Sequence, residues 1–192
     1  GSPLAVLTNI VKFILVVGNI FAVLYEFFPV PMYLNPFHAL AYSFDDWETS
    51  EEWKGPFKDL QESTSGDALP HLGDHSMHTI ELLLHQQSDE VISQTEADMK
   101  FFFHTCEWLE KTNYISTRSL GLNFFPSVTG VVLTAKGLEV LSAMPAAVSG
   151  EKSLGERLLE SAKSGGKAML AETAKQVLSL GITSGCRHFF TP

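Results

Sequence analysis

Thirteen uncharged residues in a row, FILVVGNIFAVLY between Lys12 and Glu26, constrain this chain more than any other stretch. A helix this apolar must be buried in protein or in lipid. At about 1.5 Å per residue it reaches roughly 20 Å, against a hydrocarbon core of about 30 Å. Extending it back to Leu4 brings in Thr8, Asn9 and Lys12, and a lysine at membrane depth costs about 2.5–3.5 kcal/mol. On a helical wheel Thr8, Lys12, Asn19 and Glu26 fall within about 40°, while Ile10, Phe13, Val17, Ile20, Phe21 and Leu24 point elsewhere. The pattern predicts a core or interface helix with one thin solvent edge. Attachment to a membrane surface through this helix is the alternative. The residues before Pro29 and Pro31 are pushed out of helical geometry, so the helix should end near Phe27.

The 192-residue chain is long enough for one domain with an elaboration, and 45% hydrophobic content with 14 phenylalanines favours a packed core over disorder. Thirteen Lys and Arg stand against 22 Asp and Glu, a net charge of -9. Phosphate backbones and anionic headgroups are repelled by such a surface unless a local basic patch intervenes. Cys106 and Cys186 are isolated thiols, which fits a reducing compartment and a cytoplasmic location. Gly1-Ser2 has the look of a cleavage scar, so the start of the chain says nothing about a leader.

After Pro31 a short helix is expected from Asn35 with Pro36 at its first position. From Asp45 to Asp74 the chain turns acidic and rich in Gly, Ser, Thr and Pro, which reads as a surface insertion pinned by Trp47, Trp53, Phe57 and Leu60. "HSMHTIELLLHQQ" is a short amphipathic helix. A second runs from about Glu96 to Lys111, introduced by Thr95 and Asp98 in an arrangement close to a capping box, and stops near Asn113. "YISTRSL" and "SVTGVVLT" flank "GLNFFP" as an antiparallel hairpin. Thr134 caps "AKGLEVLSA". The tail, Ser153 to Gly181, carries Leu154, Leu158, Ala162, Met169, Thr173, Val177 and Leu180 along one face and is one helix with a weak middle at Gly165-Gly166, or two.

Helices followed by a hairpin and another helix is the order of a winged helix-turn-helix module. "LYEFFPVPMYL", "FFHTCEWLEKTNYI" and "VVLTAKGLEVL" together resemble a bacterial winged-helix-type pattern found in proteins without an assigned activity. The resemblance covers Ile14 to Leu141 apart from the insertion and implies the fold only. The expected architecture is α+β and mostly helical: a winged-helix-like domain over 3–145, with a hairpin wing and an acidic insertion at about 45–74, then a helical C-terminal extension over 146–192.

In that frame the recognition helix is Glu96 to Lys111. Its outer face pairs Lys100 and Lys111 with Glu96 and Glu107, beside Phe101, His104 and Trp108, and the hairpin adds Arg118. Base-reading helices combine Arg, Asn or Gln with phosphate-holding cations. A near-neutral face therefore argues against duplex DNA, for which Lys100, His104, Lys111 and Arg118 are the candidate contacts. The interaction residues expected from the tail are Leu154, Leu158, Met169, Val177 and Leu180, covered either by the N-terminal helix or by a second copy.

Histidine is the one cluster with metal chemistry. His71, His75, His78 and His85 would share a face on a continuous helix, but Pro70 and Gly73 interrupt its start, and solvated histidines are the simpler reading. "KSGGKA" has neither phosphate-loop nor dinucleotide spacing. Cys106 lies on an apolar helix face, and nothing orders Ser, His and Asp into a triad. The sequence implies no cofactor, no metal and no catalytic residue. It points to a non-enzymatic regulatory or protein-interaction module with an unknown protein partner or a homo-oligomer, and a DNA-binding transcription regulator as the alternative.

Overall fold

The computed structural model describes residues 9–34, 36–40, 89–123, 126–144, 152–164 and 166–190. The acidic insertion at 45–74 and the histidines His71, His75, His78 and His85 lie outside the described residues. The described elements are α1 (Asn9–Phe27), α2 (Pro36–Ala39), α3 (Asp89–Lys111), β1 (Ile115–Ser116), β2 (Ser119–Leu122), β3 (Pro126–Thr129), β4 (Val132–Leu133), α4 (Ala135–Ser142), α5 (Leu154–Ser164) and α6 (Lys167–Phe190). The fold is α+β and mostly helical.

α1 is the axis of the core. Every residue from Ile14 to Leu24 is buried, with α5 and α6 among the elements packed on it. By length and composition alone this helix could cross a membrane, and here its stretch from Ile14 to Leu24 is covered by the rest of the chain while Ile10 stays exposed. The thin solvent edge expected from its polar stripe forms only in part: Glu26 is exposed, Lys12 is half-buried and Asn19 is buried. Lys12 pairs with Asp98 on α3, the Asn19 amide donates to the Ala39 carbonyl at 3.0 Å, and Glu26 meets Lys163 on α5 at 2.8 Å. Asn19, in the buried middle of the helix, is satisfied by protein instead of water, as a buried polar group must be, whereas the Glu26–Lys163 pair at the helix end is exposed.

Beyond α1 the chain turns through Val30, whose N–H donates to the Phe27 carbonyl, and runs extended past Met32. Met32 and Val131 exchange both backbone hydrogen bonds at 2.8 Å, and the Leu34 N–H donates to the Val128 carbonyl at 3.0 Å. This segment thus lies alongside the hairpin formed by β1 with β4 and β2 with β3, all antiparallel, in register from Ile115 opposite Leu133 to Leu122 opposite Pro126. Pro126 and Val128 face the core in β3, and Val131 and Leu133 face it on the return strand, the alternation shifting by one residue at Gly130, where φ is 62°.

α3 begins seven residues earlier than the sequence suggests, at Asp89, with Asp89 and Glu90 in its first turn where they complement the helix dipole. Thr95 is fully buried and lies inside the helix, six residues past its first residue, rather than at its start. The helix closes at Asn113, which adopts φ 66°, with the Tyr114 N–H returning to the Leu109 carbonyl. Asn tolerates this left-handed stop better than most residues. α4 starts as expected: Thr134 Oγ1 accepts from the Gly137 N–H at 3.1 Å. Thr134→Ala should lower the melting temperature by about 2–4 °C, the equivalent of about 1 kcal/mol of lost capping, and Thr134→Ser should retain most of it; differential scanning fluorimetry checks this.

The tail is two helices, divided where Gly165-Gly166 suggested. Ser153 and Glu156 form a reciprocal capping box at the start of α5, with bonds of 3.2 and 3.3 Å. Tyr25 joins that cap through its hydroxyl, 3.1 Å from Ser153 Oγ. A Cβ on Gly155 would lie 2.6 Å from the Tyr25 ring, so α5 approaches α1 this closely only with glycine there. Leu154, Leu158, Leu170, Ala174 and Val177 complete the core with α1.

Candidate functional site

The surface singled out by the sequence is the outer face of α3 with the adjoining hairpin. Asp89, Glu90, Ser93, Glu96, Ala97, Lys100, His104, Trp108 and Lys111 are exposed on it, while Met99, Phe102, Phe103, Cys106 and Leu109 face the core. The helical spacing of the apolar set fixes this orientation. The Lys12–Asp98 ion pair also holds it, with the Asp98 side chain 3% exposed and Lys12 Nζ 4.5 Å from the Phe101 ring centroid. Phe13 adds an edge-on contact with Trp108 at 5.1 Å. No local pattern connects Lys12 or Phe13 with this face, since the pairing spans more than eighty residues.

The candidate nucleic-acid contacts all lie on this side, and the acids come with them. Lys100 pairs with Glu96 at 3.6 Å, while His104 and Lys111 both approach Glu107, at 3.6 and 3.5 Å. Exposed i,i+4 pairs of this kind are worth about 0.3–0.5 kcal/mol, so they cancel local charge more than they stiffen the helix. Arg118 is exposed at the base of the β2–β3 hairpin, its backbone N–H tied to Thr129. Glu110 turns aside to accept from the Thr117 hydroxyl.

Trp108 is the large apolar residue of the face, 37% exposed. Its ring is stacked at 6.2 Å from Tyr114 as well as braced by Phe13. Tyr114 is itself fixed from several sides. Lys136 Nζ lies 4.2 Å over its ring and donates to the Thr112 carbonyl, Phe21 packs at 5.6 Å, and the phenol donates to the Leu178 carbonyl of α6 at 3.4 Å. Burial raises the Tyr114 pKa above the ordinary phenol value, so the group stays a neutral donor. Trp108 is therefore a surface anchor on a rigid support.

The tail residues divide. Leu154, Leu158 and Val177 are buried within the chain, whereas Met169 and Leu180 are 58% and 41% exposed. Met169 and Leu180 are thus not covered by α1, one of the two coverings expected for the tail stripe. The break resets the helical phase, and Leu170, Ala174 and Val177 take the inward face of α6. Cys106 is buried on the inner side of α3, where desolvation pushes its thiol pKa far up and removes nucleophilic character. Among the described residues no three His, Cys, Asp or Glu side chains gather into a metal-binding group.

No family model, no curated protein and no solved structure matches this chain.

Proposed function

We propose that the chain is a non-enzymatic regulatory or protein-interaction module on a winged-helix-like core, working in the cytoplasm through the outer face of α3. The winged-helix reading draws on element order. α1, the extended Met32–Leu34 segment beside the hairpin, α3, the hairpin and α4 follow the succession of first helix, first strand, recognition helix, wing and closing helix. The observation that carries the functional reading is the α3 face itself: Lys100, His104 and Lys111 each sit beside an acid of the same helix, and a braced, partly exposed tryptophan lies among them. Aromatic anchors on rigid supports are the residues around which protein interfaces concentrate their binding energy. Duplex DNA instead rewards a concentration of unpaired cations.

DNA binding is the second reading, because the element order is one that carries recognition helices into the major groove. Retention of the protein on heparin and on random duplex DNA at graded salt separates the two. Weak retention, with dissociation above about 1 µM at physiological salt, is the expected result. Sub-micromolar binding with a steep salt slope, reduced by Lys100→Ala, Lys111→Ala or Arg118→Ala, would transfer the assignment to DNA.

A further inference from the structure

We propose that the fold contains a conformational link through which α6 sets how Trp108 is presented on the outer face of α3, with the Tyr114 ring as the part that carries the displacement. The inference rests on the reading of Trp108 as an interface anchor and adds a means by which the C-terminal helix governs it.

Tyr114 touches both ends of this link. On one side its ring is stacked on Trp108, with centroids 6.2 Å apart and planes inclined by 23°. On the other its hydroxyl enters α6, donating to the Leu178 carbonyl at 3.4 Å and filling the space that a Cβ on Gly181 would need. The residue is buried, so a movement of α6 at this level cannot be absorbed by swinging the phenol into water.

The direction in which the ring yields follows from its other neighbours. Phe21, at 5.6 Å, is fully buried in α1 and has no room to retreat. Lys136 Nζ, over the ring at 4.2 Å, is tied to the Thr112 carbonyl at 2.8 Å. Trp108 is partly exposed and can move outward. Because a close-packed interior passes strain on instead of absorbing it, a shift of α6 near Gly181 reaches the surface at Trp108. With α6 docked, the indole is held between Tyr114 and Phe13. With α6 displaced, it loses its stacked support, keeps the edge contact to Phe13, and opens further to solvent.

Replacing Trp47 and Trp53 by phenylalanine leaves Trp108 as the single tryptophan of the full chain, and its emission maximum and its quenching by acrylamide then report its exposure. In that background Gly181→Ala should move the emission to the red and roughly double the quenching constant, since coupling carried through packed side chains begins at about a twofold effect. Tyr114→Phe combined with Gly181→Ala removes the hydroxyl but leaves Cζ, 2.5 Å from the added Cβ, so its quenching should fall below that of Gly181→Ala and above that of Tyr114→Phe alone. Leu170→Ala controls for destabilisation as such. Leu170 is buried on α6 about 16 Å before Gly181, and its truncation leaves a cavity at least as costly as the overpacking, yet Trp108 should keep its original quenching. Melting curves establish that each variant is read while folded; if Gly181→Ala is not, the double variant against Tyr114→Phe carries the test. Unchanged quenching in folded Gly181→Ala, a double variant equal to Tyr114→Phe, or an equal rise in Leu170→Ala would overturn the proposal. The fluorescence result stands or falls whatever α3 binds, whereas retention on heparin and duplex DNA decides the interaction reading.

Discussion

Ending the chain after Met144 should leave a protein that aggregates, or that melts without a cooperative transition. Such a truncation removes α5 and α6, and with them Leu154, Leu158, Leu170 and Val177, all buried against the core. Burial of each is worth about 1.5–3 kcal/mol, so the four together contribute about 6–12 kcal/mol of transfer free energy. That equals most of the 5–15 kcal/mol by which a typical domain is stable. It also uncovers the flank of α1 they cover, a helix in which Ile14 to Leu24 are all buried. Size-exclusion chromatography and a thermal melt of the truncated chain check the expectation. A sharp transition close to that of the intact protein would show that α5 and α6 are an independent arm.

The second large effect is expected at Gly181. A Cβ there would stand 1.8 Å from the Tyr114 hydroxyl oxygen and 2.5 Å from Cζ, so the phenol occupies a notch that only glycine leaves open. Gly181→Ala must displace either α6 or a tyrosine that also contacts Phe21, Trp108 and Lys136. Overpacking of this kind costs about 1–3 kcal/mol, and the number of neighbours fixing Tyr114 places this site at the upper end. The melting temperature should fall by about 6–10 °C. Tyr114→Phe alone should cost about 1 kcal/mol through the lost bond to the Leu178 carbonyl. Combined with Gly181→Ala it should recover part of the loss, because the closest clashing atom is gone. Simple addition of the two single effects would show that the notch does not govern this contact.

How much of this was legible in the sequence varies with the physical range of each signal. Local signals transferred well: Pro36 at a helix start, Asn113 at a helix stop, Thr134 as a cap and the hairpin strands all depend on neighbours within a few residues. The capping box was sought at Thr95 and Asp98, yet the pair that forms one is Ser153 and Glu156. Both pairs carry a hydroxyl and an acid three residues on. What separates them is tertiary, since Thr95 is buried inside a longer α3 and Asp98 is drawn to Lys12 from α1. The polar stripe of α1 was read as solvent-facing for the same reason: periodicity reports which residues share a side and says nothing of what covers it. Glycines 155 and 181 gave no warning either, because a notch is visible only with its tyrosine in place. On α3, helical spacing suffices to put Lys100, His104, Lys111 and Trp108 on the outer side, where they are exposed, while the bracing of Trp108 by Phe13 is visible only in the fold.

The central position of α1 has a temporal consequence. Its covering partners, α5 and α6, come roughly 130 residues later in the chain, which at ~5–20 residues per second is an interval of about 6–25 s during synthesis. Throughout that interval the most apolar segment of the protein has emerged without the helices that enclose it in the finished fold. A nascent chain in that condition presents a hydrophobic stretch to whatever binds such stretches at the ribosome, chaperones and membrane-targeting factors alike. The order in which the helices are made, rather than their final packing, then decides how long α1 is open to that competition.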